Sequence, residues 1–148
     1  MNEAPTVVLT NAVTSLPEDT DTSARIKVAD IVVTDDALGT NVLSLSGADA
    51  ALFEIVGSSL YIKAGSVLDF ETNPQLDVTV AVDDTTVGVT PDDSEGLAVG
   101  VTDVNEPPTL VLANAITTVA ENLNTSSRVK AADIVVTDDA LGTDVLSL

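Results

Sequence analysis

The sequence predicts an all-β fold: a seven-stranded antiparallel Greek-key β-sandwich followed by a truncated second repeat. Three observations predict it. The first is internal repetition, since residues 2–45 laid over 105–148 are identical at about 30 of 44 positions, and Asp30 to Thr40 reappear unchanged as Asp133 to Thr143. The second is spacing: Asn105 lies 105 − 2 = 103 residues after Asn2, the length of one sandwich domain of about 100 residues. The third is composition. The chain is 45% hydrophobic, mostly Val, Leu, Ala and Ile, with Phe53, Phe70 and Tyr61 as its aromatics, and a β-branched bias favours strands. Positive mean hydropathy excludes wholesale disorder.

Residues 1–104 therefore read as one complete repeat and 105–148 as the N-terminal part of a second, which stops in mid-strand at Leu148. The seam between them is Asp103-Val104-Asn105-Glu106-Pro107-Pro108, and a shortened form, Asn2-Glu3-Ala4-Pro5, opens the chain. The partial copy holds three strands at most, too few to bury a core unaided, so fraying or exchange with another molecule is expected.

Within the complete repeat, Val7 to Leu16 is the first strand, interrupted near Asn11. Leu16-Pro17-Glu18-Asp19 is a turn presenting Glu18. Residues 24–34 form the second strand, with a bulge at Ala29-Asp30 because the apolar phase slips there. Asp35-Asp36-Ala37-Leu38-Gly39 is a turn-forming loop with two adjacent carboxylates. Val42–Ser46, Leu52–Val56 and Ser59–Ala64 are short strands, the last two joined by Gly57-Ser58 as a hairpin turn, with a single helical turn at 47–51. Leu76, Val78, Val80 and Val82 alternate with Asp77, Thr79 and Ala81, the mark of a half-buried strand. Residues 85–95 are a polar loop, and Gly96 to Asp103 is the last strand with Leu97, Val99 and Val101 inward.

A net charge of −19, with Arg25, Lys27, Lys63, Arg128 and Lys130 as the basic residues, repels nucleic acid and anionic membranes and makes cations the natural partner. The absence of cysteine excludes disulfides and thiolate metal sites. With no His and no Cys, serine and thiol catalysis lack their usual base and nucleophile. No apolar run is long enough to span a bilayer, and Met1-Asn2-Glu3 opens no signal peptide, so a secretion signal or anchor is expected outside this sequence.

The acids fall at strand ends and in loops rather than inward in mid-strand. A sandwich of alternating strands can gather Glu18, Asp69, Glu71, Asp103 and Glu106 at the pole where the chain leaves the repeat. Like charges ~4 Å apart repel by about 4 kcal/mol at an effective dielectric near 20, so such a group calls for a hard cation. Calcium fits, taking six to eight oxygen ligands in flexible geometry. Asp92 and Asp93 match no motif and read as solvated.

These residues resemble the cadherin extracellular repeat, in particular its bacterial relatives. Leu16-Pro17-Glu18-Asp19 and Val119-Ala120-Glu121-Asn122 look like the family's P-E-N turn, and Leu68-Asp69-Phe70-Glu71 is similar to L-D-R-E. Ala81-Val82-Asp83 resembles the A-x-D strand end, and Asp103-Val104-Asn105-Glu106-Pro107 the D-x-N-D-N linker. The resemblance implies an Ig-like sandwich of cadherin type with calcium ions between successive repeats. Glu18, Asp69, Glu71, Asp103 and Glu106, with the Val104 carbonyl, would hold two ions; Asn105, the Pro107 carbonyl and Asp138 would reach a third. Asn2, Asp35 and Asp83 would face a preceding repeat. The family's D-A-D loop reads Asp138-Asp139-Ala140 here, which puts its second carboxylate at Asp139, and Glu106 stands where Asp is usual.

The implied function is a calcium-rigidified adhesion and spacer module of a long bacterial surface or secreted protein, homophilic adhesion included, with neighbouring repeats as partners and no enzymatic activity. Two alternatives stay open: a module binding surface polysaccharide, and a metal-free spacer.

Overall fold

A computed structural model describes residues 1–147; Leu148, at which the sequence predicts a strand, lies outside the described residues. The chain divides into two compact units, Met1–Asp103 and a second that begins at Val104.

The first unit is a two-sheet sandwich. Its first strand is split into β1 (Thr6–Thr10) and β2 (Ser15–Pro17). Between them Asn11 has φ 51°, a left-handed conformation that Asn tolerates better than most residues. The strands β3 (Ile26–Thr34), β4 (Asn41–Ser46), β5 (Phe53–Val56), β6 (Ser59–Ile62), β7 (Gln75–Asp84) and β8 (Asp93–Thr102) follow. One sheet has the order β1-β3-β6-β5 and the other β2-β8-β7-β4. Thus the break at Asn11 moves the chain from one sheet to the other. This carries one departure from a purely antiparallel sandwich: β2 pairs parallel to β8, Ser15 opposite Gly100 and Pro17 opposite Thr102, because both run toward the same pole.

Alternation along β7 gives the floor of the core. Leu76, Val78, Val80 and Val82 are buried, as are Leu97, Val99 and Val101 on β8, and from the other sheet Val28, Ile31, Phe53, Leu60 and Ile62 close over them. Ala81, expected outward, is buried, since its small side chain lies between the cross-strand neighbours Ser44 and Ser94. The bulge falls between Lys27 and Ala29, one residue before its expected place, so that Val28 and Ala29 are both buried. Strands β5 and β6 meet in a two-residue turn, Val56 opposite Ser59, with Gly57 at φ 61°. Strand β8 starts at Asp93 rather than Gly96 because residues 93–95 pair with Val80 to Val82, which shortens the polar loop to residues 85–92.

In the second unit, β9 (Thr109–Ala113) pairs antiparallel with β10 (Asp133–Thr137), repeating the β1–β3 ladder. Three strands were expected here and two form among the described residues. Residues 129–132 are irregular although their counterparts 26–29 belong to β3, and 145–147 are irregular although 42–44 belong to β4. In the first unit those segments are held by β6 and β7; in the second, no described strand pairs with them.

Candidate metal centre

Three elements bring the first group of carboxylates together. Glu18 directly follows β2, and its N–H donates to the Thr102 carbonyl at 3.1 Å, which ties the turn to the end of β8. Its Oε2 accepts from the Phe70 N–H at 2.9 Å, pinning the 68–73 loop against the same end. Asp103 is the residue after β8. As a result, one carboxylate oxygen each of Glu18, Glu71 and Asp103 lies within 4.8 Å of the others. Glu18 and Asp103 are half-buried and Glu71 is exposed.

Asp69 shapes the loop. Its Oδ1 accepts from the Thr72 N–H at 2.8 Å and its Oδ2 from the Thr72 hydroxyl at 2.9 Å, while its carbonyl accepts from the Asn73 N–H at 2.8 Å. The electrostatic consequence falls on Glu71. Its own backbone N–H holds its carboxyl down, but partial burial and the charges of Glu18, Asp103 and Asp69 outweigh that, so its pKa is raised above the ordinary Glu value. The fold has assembled negative charge where charge opposes charge.

A second group lies where the first unit begins. Asn2 donates from Nδ2 to Asp84 at 3.0 Å and to the Thr86 hydroxyl at 2.7 Å, which leaves its Oδ1 buried without a donor. Asp35 Oδ2 accepts from Asn41 at 3.0 Å, and its Oδ1 is likewise buried and unpartnered, as is Asp83 Oδ1. Asp36, the neighbour of Asp35, has both oxygens engaged by backbone amides, Oδ1 by Leu38 at 2.9 Å and Oδ2 by Glu3 at 3.1 Å.

Three residues read otherwise in the sequence matter here. Asp84, at the end of β7 as the sequence places it, is fully buried, a burial that the sequence reading did not assign to it. Asn2, the Thr86 N–H and the Thr86 hydroxyl surround it and lower its pKa despite burial. The signal was present: Asp84 continues the inward phase of 76, 78, 80 and 82. Gly39 is the other half of that contact, for at φ 78° a Cβ there would lie 1.8 Å from Asp84 Oδ2. Asp92 and Asp93 are half-buried and bonded rather than solvated. Asp92 Oδ2 accepts from the Asp84 N–H at 2.7 Å with Oδ1 buried and unpartnered, and Asp93 Oδ2 accepts from the Val7 N–H at 2.7 Å.

The second unit repeats part of this pattern. Asp139, like Asp36, has both oxygens on backbone amides, Leu141 and Glu106, each at 2.8 Å. Asp138, like Asp35, keeps Oδ1 buried and unpartnered. Burial foremost, then the charges of Asp144 and Asp139, raises its pKa against the Asp139 N–H. Asn105 and Glu106 are exposed, and the Asn105 Oδ1 lies against Gly142, where a Cβ would come within 2.6 Å. Val104 is half-buried and Pro107 exposed.

Neither a protein-family model nor a curated protein matches the chain. Solved structures do. A crystal structure of human protocadherin-24 repeats EC1–2 is 26% identical with a TM-score of 0.51, covering 93% of this chain and 62% of that one. The fold is that of cadherin extracellular repeats. A protocadherin gammaB7 EC3–6 cis-dimer structure is 25% identical with a TM-score of 0.60, covering 90% of this chain and 34% of that one. The protocadherin GammaB4 extracellular domain, 23% identical with a TM-score of 0.59, shares the fold over 93% of this chain and 22% of its own. This chain thus spans less than two thirds of the cadherin-fold structures it resembles. Among the described residues, no helix is long and apolar enough to cross a membrane.

Proposed function

We propose that this chain is a calcium-holding repeat of an extracellular adhesion protein, of the bacterial cadherin-like kind its motifs resemble, and not an enzyme. The observation that carries this reading is the convergence of Glu18, Glu71 and Asp103 within 4.8 Å, with the Glu71 pKa raised by desolvation and then by the charges of Glu18, Asp103 and Asp69. Oxygen donors from separate loops, with no thiol or imidazole available, suit a hard divalent cation better than zinc or copper, which favour imidazole and thiolate.

Glu18, Asp69, Glu71 and Asp103 would hold the ion in the first unit. Asn2, Asp35 and Asp83 would form a second donor set at its other end. Val104, Asn105, Glu106, Pro107 and Asp138 are the candidate donors of the second unit. A bound calcium ion would cancel the mutual repulsion of the carboxylates. The residues themselves do the mechanical work. Glu18 staples β2, the end of β8 and the 68–73 loop, so fixing the carboxylates fixes the direction in which the chain leaves the sandwich at Asp103. A repeat whose exit is stiff serves as a rod element in a surface protein.

The polysaccharide alternative draws little support from the aromatic side chains. Phe53 is buried, Tyr61 and Phe70 are half-buried, and the Arg25 guanidinium sits 5.3 Å over the Tyr61 ring. Calorimetric titration with calcium tests the proposal. Glu71→Ala is expected to remove most of the binding heat and Asp19→Ala, an exposed turn residue, to leave it intact; equal titrations for both variants would sink it.

A further inference from the structure

Between β9 and β10 the second unit runs through residues 114–132 without strand or helix, and every residue from 114 to 131 is exposed. Within this stretch lies Asn124-Thr125-Ser126. Of the eight asparagines of the chain, Asn124 alone has a hydroxyl residue two places on with no proline between, the pattern of an asparagine that accepts a sugar in a surface loop. So short a pattern carries weight only where the structure presents it.

Asn124 Oδ1 accepts from the Ser126 N–H at 2.9 Å, which closes an Asx turn and brings Ser126 back onto the Asn124 amide. The Nδ2 of Asn124 donates to no described residue, so both of its N–H groups are left to solvent. The first unit makes the same turn at Asp21-Thr22-Ser23, where Asp21 Oδ1 accepts from the Ser23 N–H at 2.8 Å. Two things differ there. A carboxylate has no N–H to give, and Thr22 is strapped down, its hydroxyl donating to the Ser66 carbonyl at 2.7 Å and its carbonyl accepting from the Gly65 N–H at 2.7 Å. Among the described residues no such strap holds Thr125. The copy that carries the amide is therefore also the copy left open to an enzyme.

We propose that Asn124 is a site of N-glycosylation. Its Nδ2 attacks the anomeric carbon of a sugar carried on a diphosphate; the carbon–nitrogen bond forms as the carbon–oxygen bond to the diphosphate breaks. The diphosphate leaves with the bonding pair, and one Nδ2 proton passes to a base of the transferase, so the step needs no oxidant or reductant. The transferase reads the Ser126 hydroxyl. The donor is a nucleotide-linked or a lipid-linked sugar, one chemistry from two sources. The attached glycan is bulky and solubilising, and it stands in the stretch that leaves Val119 and Leu123 67% and 41% exposed. The site is independent of the carboxylates that gather at the metal centre.

The test is mass spectrometry of the full chain in two arms. In one, the chain is secreted from yeast, whose donor is a lipid-linked oligosaccharide; in the other, unmodified chain is incubated with a purified N-glycosyltransferase and UDP-glucose. The first is expected to add an oligosaccharide and the second a single hexose, each mapped to the peptide holding Asn124, and modification in either arm identifies the donor the site accepts. Asn124→Asp, which keeps the Asx turn as Asp21 does, and Ser126→Ala, which keeps the amide, are both expected to abolish the modification. Thr125→Ala is expected to retain it. An Asn124 left bare in both arms, sugar found only on hydroxyl or lysine side chains, or a Ser126→Ala chain modified as fully as the parent would overturn the proposal.

Discussion

Ile31 and Ile134 have the same neighbours in sequence, since Asp30–Thr40 and Asp133–Thr143 are identical, but different neighbours in space. Ile31 is 4% exposed in the core and Ile134 is 54% exposed. Replacing Ile31 with Ala removes three buried carbons at about 0.8 kcal/mol each, about 2.4 kcal/mol in transfer terms. The cavity left in the core cluster to which Ile31 belongs brings the loss to about 3 kcal/mol. For a domain of about 100 residues each kcal/mol moves the midpoint by about 4–8 °C, so the melting temperature of the first unit is expected to fall by roughly 12–24 °C. Ile134→Ala, at a half-exposed position, is expected to stay within about 0.5 kcal/mol. Differential scanning calorimetry of both variants beside the parent measures this. Equal destabilisation by the two would refute the claim that partner strands, rather than local sequence, decide burial here.

Further outcomes follow from the same structure. The folded-state pKa of Asp84 is lowered from 3.8, so its ionised form stabilises the fold above that value and the contribution is lost as pH falls through the lower folded value. Asp84→Asn is expected to lower the urea midpoint at pH 7 and to flatten its decline below pH 3.8; a decline as steep as the parent's would count against the buried clamp. Glu71, with its pKa raised, takes up a proton earlier than an ordinary Glu. Without calcium, stability should therefore rise slightly as pH falls through the Glu71 value, while calcium affinity drops over the same range. Calorimetric titrations at pH 7 and at pH 4.5, the ordinary Glu value above which the Glu71 pKa lies, giving equal affinities would contradict that. Hydrogen exchange at dilution should show Leu110 to Val136 far less protected than Leu76 to Val82; equal protection would mean that β9 and β10 are buried in a way their exposure denies.

Much of the sandwich was legible because it rests on alternation. Leu76, Val78, Val80 and Val82 announce β7, and Gly57-Ser58 announces the β5–β6 hairpin turn. What alternation cannot show is which sheet a strand joins. Val7 to Leu16 reads as one run, and only the left-handed Asn11 divides it into β1 and β2, which then makes β2 parallel to β8. The second unit shows the same limit from the other side, because residues 129–132 carry a strand sequence without being a strand. In the metal centre, Glu18, Glu71 and Asp103 were legible as motif residues, but the division of labour between adjacent acids was not. Asp35 and Asp138 keep a buried oxygen unpaired while Asp36 and Asp139 hold the loop, a distinction set by the turn's backbone amides. Asp92 and Asp93 were missed because their partners, the Asp84 and Val7 amides, are remote in sequence or belong to backbone.

Whether convergent carboxylates hold calcium is tested most directly by the melting temperature with and without the ion. Sites of this type bind at roughly 10⁻⁴–10⁻³ M, so 10 mM calcium stabilises the folded state by about 1.4–2.7 kcal/mol per site, a rise of roughly 6–20 °C that a chelator reverses and Glu71→Ala largely abolishes. A melting temperature unmoved by 10 mM calcium would leave Glu18, Glu71 and Asp103 as crowded loop acids with no metal to hold.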